Sequence, residues 1–159
     1  MWVIGVLLLM SSMVGLKMVQ FEVNAKPIGR QASTPVLAQN MVVYKSAVDV
    51  FVASQAAGYT APAAGNVVPD ASLSFPTWYV RDSRWTNKVI NGTVTVYSVS
   101  LPDVGDISRD AAKLTKGSRS AGVVKSATNT ILSPLYGDTG IALPAGLPNG
   151  VPVLQSKIN

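Results

Sequence analysis

Asp138-Thr139-Gly140 comes nearest to a catalytic motif: the loop in which two aspartates of an aspartic protease share one proton. The tripeptide occurs once, so a paired site would need a dimer. Too little chain follows Gly140 for the rest of such a half-site, and Asp-x-Gly is also ordinary turn chemistry, which is its expected role here. Lys45-Ser46 and Lys125-Ser126 put a base beside a nucleophile, but neighbours along a strand or helix point apart. Neither pair is a dyad as it stands. The chain has no His and no Cys, which removes imidazole bases, thiolate nucleophiles, the usual zinc ligands and disulfides. Glu22 is its only glutamate, and no phosphate-cradling or dinucleotide-binding glycine pattern occurs. An enzyme is not expected, nor a metal or cofactor.

Binding by charge is also poorly provided for. Thirteen Lys+Arg face eight Asp+Glu, giving +5, but the basic residues are dispersed. Lys113, Lys116, Arg119 and Lys125 form the one loose cluster, with Asp106 and Asp110 beside it and no interleaved aromatics to stack on bases. That pattern reads as a solvated face, so nucleic acid is not an expected partner. Charged residues make up 13% of the chain, about half the usual share, while the apolar 48% is ordinary for a globular protein. A disordered chain needs the opposite balance. The absence of Cys leaves the redox compartment open.

With chemistry so thin, the elements themselves carry the reading. Residues 1–16, MWVIGVLLLMSSMVGL, hold no charge, and Met18 and Val19 continue the run past Lys17. Sixteen helical residues reach roughly 24 Å and nineteen roughly 28 Å, against a hydrocarbon core of about 30 Å. The longer span works if Lys17 snorkels to the headgroups while Trp2 sits at the opposite interface. Trp2, Leu7, Leu8, Leu9 and Lys17 are thus the expected anchor residues. The alternative is a signal peptide cleaved after Val23-Asn24-Ala25, which would release a secreted chain starting at Lys26. Lys17, Lys26 and Arg30 follow the span and by themselves favour a cytoplasmic body, although long domains translocate largely regardless of charge.

Residues 20–34 read as a linker, and 35–159 as one α+β domain. Thr34-Pro35 suits an N-cap and first turn. Leu37, Met41, Tyr44, Val48 and Phe51 then recur at steps of four and three, one face of an amphipathic helix that Gly58 stops. The same stripe could serve as a coiled-coil seam with a second copy, so self-association is the alternative to core packing. Asn91-Gly92 between β-branched runs predicts a hairpin with a type I′ turn, which also accounts for the formal glycosylation sequon Asn91-Gly92-Thr93. Asp106 caps a short helix ended by Gly117, and residues 121–125 and 130–132 predict a second hairpin. Leu143-Pro144-Ala145-Gly146, Leu147-Pro148-Asn149-Gly150 and Val151-Pro152 repeat a turn unit expected to dock its apolar residues on the body. Tyr44, Trp78 and Tyr79 are the aromatic set expected in the core or at a partner surface. The core is preferred, with Trp78 seated against the helix around Tyr44.

Asn40-Met41-Val42-Val43-Tyr44, Pro76-Thr77-Trp78-Tyr79 and Gly140-Ile141-Ala142-Leu143-Pro144 occur in this order behind an apolar N-terminal span. Together they resemble the small PilM proteins of conjugative thin pili, within the type IVB pilus systems, over roughly residues 35 to 155. An unrelated actin-like protein shares that name, but its nucleotide-binding glycines are missing here. The resemblance implies an inner-membrane component of the pilus assembly apparatus; with its one apolar span the chain is expected to cross once, its C-terminal domain in the periplasm. It would work through contacts with other pilus-assembly proteins and carries over no catalytic residue.

Overall fold

Thr34–Ala53 forms helix α1, and a six-stranded antiparallel sheet lies against it. The computed structural model describes residues 34–100 and 106–158. The strands are β1 (Trp85–Ile90), β2 (Thr93–Ser98), β3 (Ala121–Lys125), β4 (Thr130–Ser133), β5 (Gly137–Ala142) and β6 (Pro152–Lys157). Helix α2 (Ile107–Leu114) joins the two halves of the sheet. The class is α+β, as expected. The expected anchor residues Trp2, Leu7, Leu8, Leu9 and Lys17 and the linker to Ser33 lie outside the described residues.

Ala38, Met41, Tyr44, Val48 and Val52 are the buried face of α1. Leu37 and Phe51 are only half-buried, so the packed stripe is rotated slightly from the expected one. The helix ends four residues before Ala57, where the Ser54 hydroxyl donates to the Phe51 carbonyl at 2.6 Å and removes one of the orphan carbonyls of the last turn. By length and composition α1 could itself cross a membrane. Its packing says otherwise. Its apolar stripe meets Val89, Val94, Val96 and Leu154 of the sheet, and its polar side carries the Lys45–Asp49 ion pair. Ser156 of β6 donates to Asp49 at 2.6 Å, fastening that end of the helix to the sheet. The helix is the core helix of the domain.

The Asn91-Gly92 hairpin forms in the expected register, with Ile90 opposite Thr93 and φ of 48° and 71° at the two turn residues. A side chain at Gly92 would also collide with the Ile158 carbonyl, since a Cβ there would lie 2.5 Å from its oxygen. The Asp106 carboxylate accepts from Arg109 N and caps α2, and Gly117 follows the helix with φ 72°. The second hairpin, β3 with β4, also forms.

Strand order is β1-β2-β6-β3-β4-β5, so the last strand enters the middle of the sheet. β6 pairs Leu154 with Val96 on one side and with Ala121 on the other. The expected turn repeat ends at Pro152 and no strand was expected after it; residues 152–157 join the two hairpins into one sheet. The preceding repeat does dock. Leu143, Leu147 and Val151 are buried with Val124, Ile131 and Val153, forming a second small core separate from the one beneath α1.

Candidate interaction surface

Asn40, near the start of α1, is the hub of a polar seam between the helix, strand β1 and the long loop 59–84. Its Oδ1 accepts from the Trp85 indole at 2.9 Å and from the Tyr79 hydroxyl at 3.0 Å, while Nδ2 donates to the Val80 carbonyl at 2.9 Å. One helical turn on, the Tyr44 hydroxyl donates to Asp70 at 3.0 Å and accepts from Asn87 at 2.9 Å. Asn87, fully buried on β1, uses its remaining groups on the backbone N–H and carbonyl of Val68. These bonds fasten the loop to the helix–strand seam, and the Ala61 N–H donates to the Val89 carbonyl at 3.1 Å on the outer edge of β1, where an unpaired strand would otherwise offer its backbone to another chain. Among the described residues no buried side-chain polar atom lacks a partner.

Aromatic stacking completes the seam. Phe75 stacks between Tyr44 and Tyr79, with ring centres 6.0 and 4.8 Å away. The Arg81 guanidinium lies 4.4 Å from the centre of the Tyr44 ring, donates to Asp70 at 2.7 Å and to the Trp85 carbonyl at 2.7 Å, and also bonds the Asp82 carbonyl. Arg84 closes on Asp82 at 2.6 Å, and this bond holds the Asp82 carboxyl below the usual carboxylate range. Burial pushes the phenols of Tyr44 and Tyr79 up to about 12. Both folded values exceed the ordinary value near 10, so the stability they contribute is complete below about pH 10 and is lost as pH rises towards 12. Melting temperature is therefore expected to fall across that window, with late-appearing phenolate absorbance, and Tyr79→Phe should lessen the fall.

Tyr44 and Tyr79 thus belong to the core seam. Trp78 does not. It was expected to be seated against the helix, but it is 65% exposed. The Tyr79 N–H donates to the Pro76 carbonyl at 2.9 Å, closing a turn with Thr77 and Trp78 at its tip. Once Asn40 draws Tyr79 inward, its neighbour must face out. Trp78→Ala is accordingly expected to cost less than about 1 kcal/mol in urea unfolding, far below the 3–5 kcal/mol of a buried aromatic. Val80 and Val36 are exposed beside a shallow groove of about 390 Å³ between the first turns of α1 and residues 80–83.

The residues singled out for chemistry are placed apart from this surface. Asp138 lies on edge strand β5, paired with Lys125 at 2.7 Å, and that hydrogen bond holds its carboxyl down at about 2. Thr139 turns inward and donates to the Ile131 carbonyl at 2.9 Å. Lys45 is occupied by Asp49, and Lys113 by Asp110 at 3.1 Å. Asp70, Arg81 and Asn87 carried no expectation from the sequence, and Asn40 stood only within the family pattern. Asn87 did carry a signal, because asparagine is disfavoured inside a strand unless its side chain is matched.

Two of the three segments in the family pattern are therefore in contact, Asn40 and Tyr44 meeting the Phe75–Tyr79 loop. The third lies elsewhere, with Leu143 in the second core. No curated protein and no solved structure matches the chain significantly. The PilM family model matches residues 8–155, which reach from the N-terminal apolar stretch to β6, and membership implies a part in pilus assembly. The chain belongs to the PilM family.

Proposed function

We propose that this protein is a non-enzymatic, membrane-anchored component of a type IVB thin-pilus system, acting by contact with other assembly proteins. Its body stands on the periplasmic side of the inner membrane. The observation that carries this reading is the family match beginning at residue 8, inside the apolar stretch, and running on into the folded body. The chemistry of the body supports it. Its carboxylates at Asp49, Asp70, Asp82, Asp110 and Asp138 are each engaged by a lysine or arginine. Asp82 and Asp138, which Arg84 and Lys125 hold below the usual carboxylate range, are poorly suited to moving protons near neutral pH. What the fold offers instead is a surface.

Membrane fractionation with N-terminal sequencing of the mature chain tests the anchor. A chain retaining Trp2 to Val19 in the inner-membrane fraction is the expected result. A soluble chain starting at Lys26 would replace this reading with a secreted, pilus-associated or adhesive subunit. Protease accessibility in spheroplasts tests the side: the body should be digested without lysis.

A further inference from the structure

Exposed apolar side chains flank the groove beside the first turns of α1, where the N-terminal segment joins the body. Val36, on the first turn of α1, is exposed, as are Trp78 and Val80. Alternate residues of an extended stretch face opposite ways. Tyr79 is held inward by Asn40 and Phe75, and Arg81 by Asp70 and the Tyr44 ring, so Val80 between them is held outward, while Trp78 stands exposed at the tip of the Pro76–Tyr79 turn. The cations beside it are matched: Arg81 with Asp70 at 2.7 Å and Arg84 with Asp82 at 2.6 Å. A surface with closed ion pairs and protruding apolar side chains leaves water at low electrostatic cost.

Its position says what covers it. The apolar stretch runs to Val19 and α1 starts at Thr34, so on the anchor reading only residues 20–33 separate the span from the body. Fourteen residues reach at most about 50 Å when extended, and roughly 20 Å as a flexible coil. Val36 is three residues beyond Ser33, so on that reading this end of the body stays at high effective concentration against the bilayer that holds the span. Tryptophan is favoured at the headgroup level of such a bilayer.

We propose that the patch formed by Val36, Trp78 and Val80 rests on the lipid surface of the membrane in which the protein is anchored, with Trp78 at headgroup depth. The inference rests on the anchor reading and adds an orientation to it. Because its ion pairs are closed, docking needs no anionic lipid and persists in high salt.

The chain lacks Cys, so single-cysteine variants can be labelled specifically. Full-length Val80→Cys and Ala127→Cys proteins, each carrying an environment-sensitive fluorophore, are reconstituted into phosphatidylcholine vesicles containing spin-labelled quencher lipid. Ala127 lies in the β3–β4 turn, three to four strand spacings from β1, or about 15–19 Å away. The label at position 80 should be quenched at least twofold more than that at 127, at low and high salt alike. Adding Trp78→Ala should bring the two closer. Vesicle-bound protein with equal quenching at both positions would overturn the docking, leave the anchor standing and give the patch to a protein partner. Protein that does not float with vesicles would overturn both. Quenching that requires anionic lipid, or vanishes in salt, would overturn the apolar mode of docking.

Discussion

Val96→Asp is expected to leave the body without a cooperative unfolding transition. Val96 is fully buried on β2, between Asn87 of β1 and Leu154 of β6 and beneath α1. Losing its apolar burial costs about 1.5–3 kcal/mol, and an unpaired carboxylate in that place costs several more. Domains of this size have about 5–15 kcal/mol in total. Val94→Asp should act alike, since Val94 is also fully buried on the same face. Ile90→Asp, at the partly exposed end of β1, is the control and should melt near wild type. Far-UV circular dichroism during heating reads all three. Wild-type melting of both valine variants would contradict the placement of β2 under α1.

Trp85→Ala should rank next, at about 3–5 kcal/mol in urea unfolding. Trp85 is 1% exposed and is the largest of the fully buried side chains. Its removal opens a cavity beneath the first half of α1 and deletes the indole bond to Asn40. Trp85→Phe keeps most of the volume and loses chiefly that bond, so about 1–2 kcal/mol is expected. The contrast with Trp78 is the informative part: two tryptophans seven residues apart should differ severalfold in cost. Equal costs would mean that the turn at Pro76–Tyr79 does not point Trp78 outward.

The parts legible in the sequence are those whose cause is local. Asn91-Gly92 dictates its hairpin because both residues accept positive φ, and Asp106 with Gly117 brackets α2 by satisfying its ends. The stripe on α1 was legible because burial on one face imposes a period near 3.6. Strand β6 was not. Its partners Val96 and Ala121 lie far back along the chain, and the proline-glycine repeat before it resembles turns throughout. The antiparallel pairing of β2 and β6 leaves no mark in a short window. The outward turn of Trp78 was hidden for a related reason, since it follows from a hydrogen bond between Tyr79 and Asn40, thirty-nine residues apart. Aromatic identity alone suggested the core.

The proposed function divides the work between a span that supplies location and a body that supplies recognition. Pilus assembly in cells lacking the native protein tests that division most directly. The cells would receive either the body alone, starting at Pro27, or the full chain with residues 1–18 replaced by an unrelated span of equal length and orientation. The account predicts pili with the replaced span, because anchoring energy is mostly non-specific apolar burial, and none with the untethered body. Normal pili from the untethered body would contradict it.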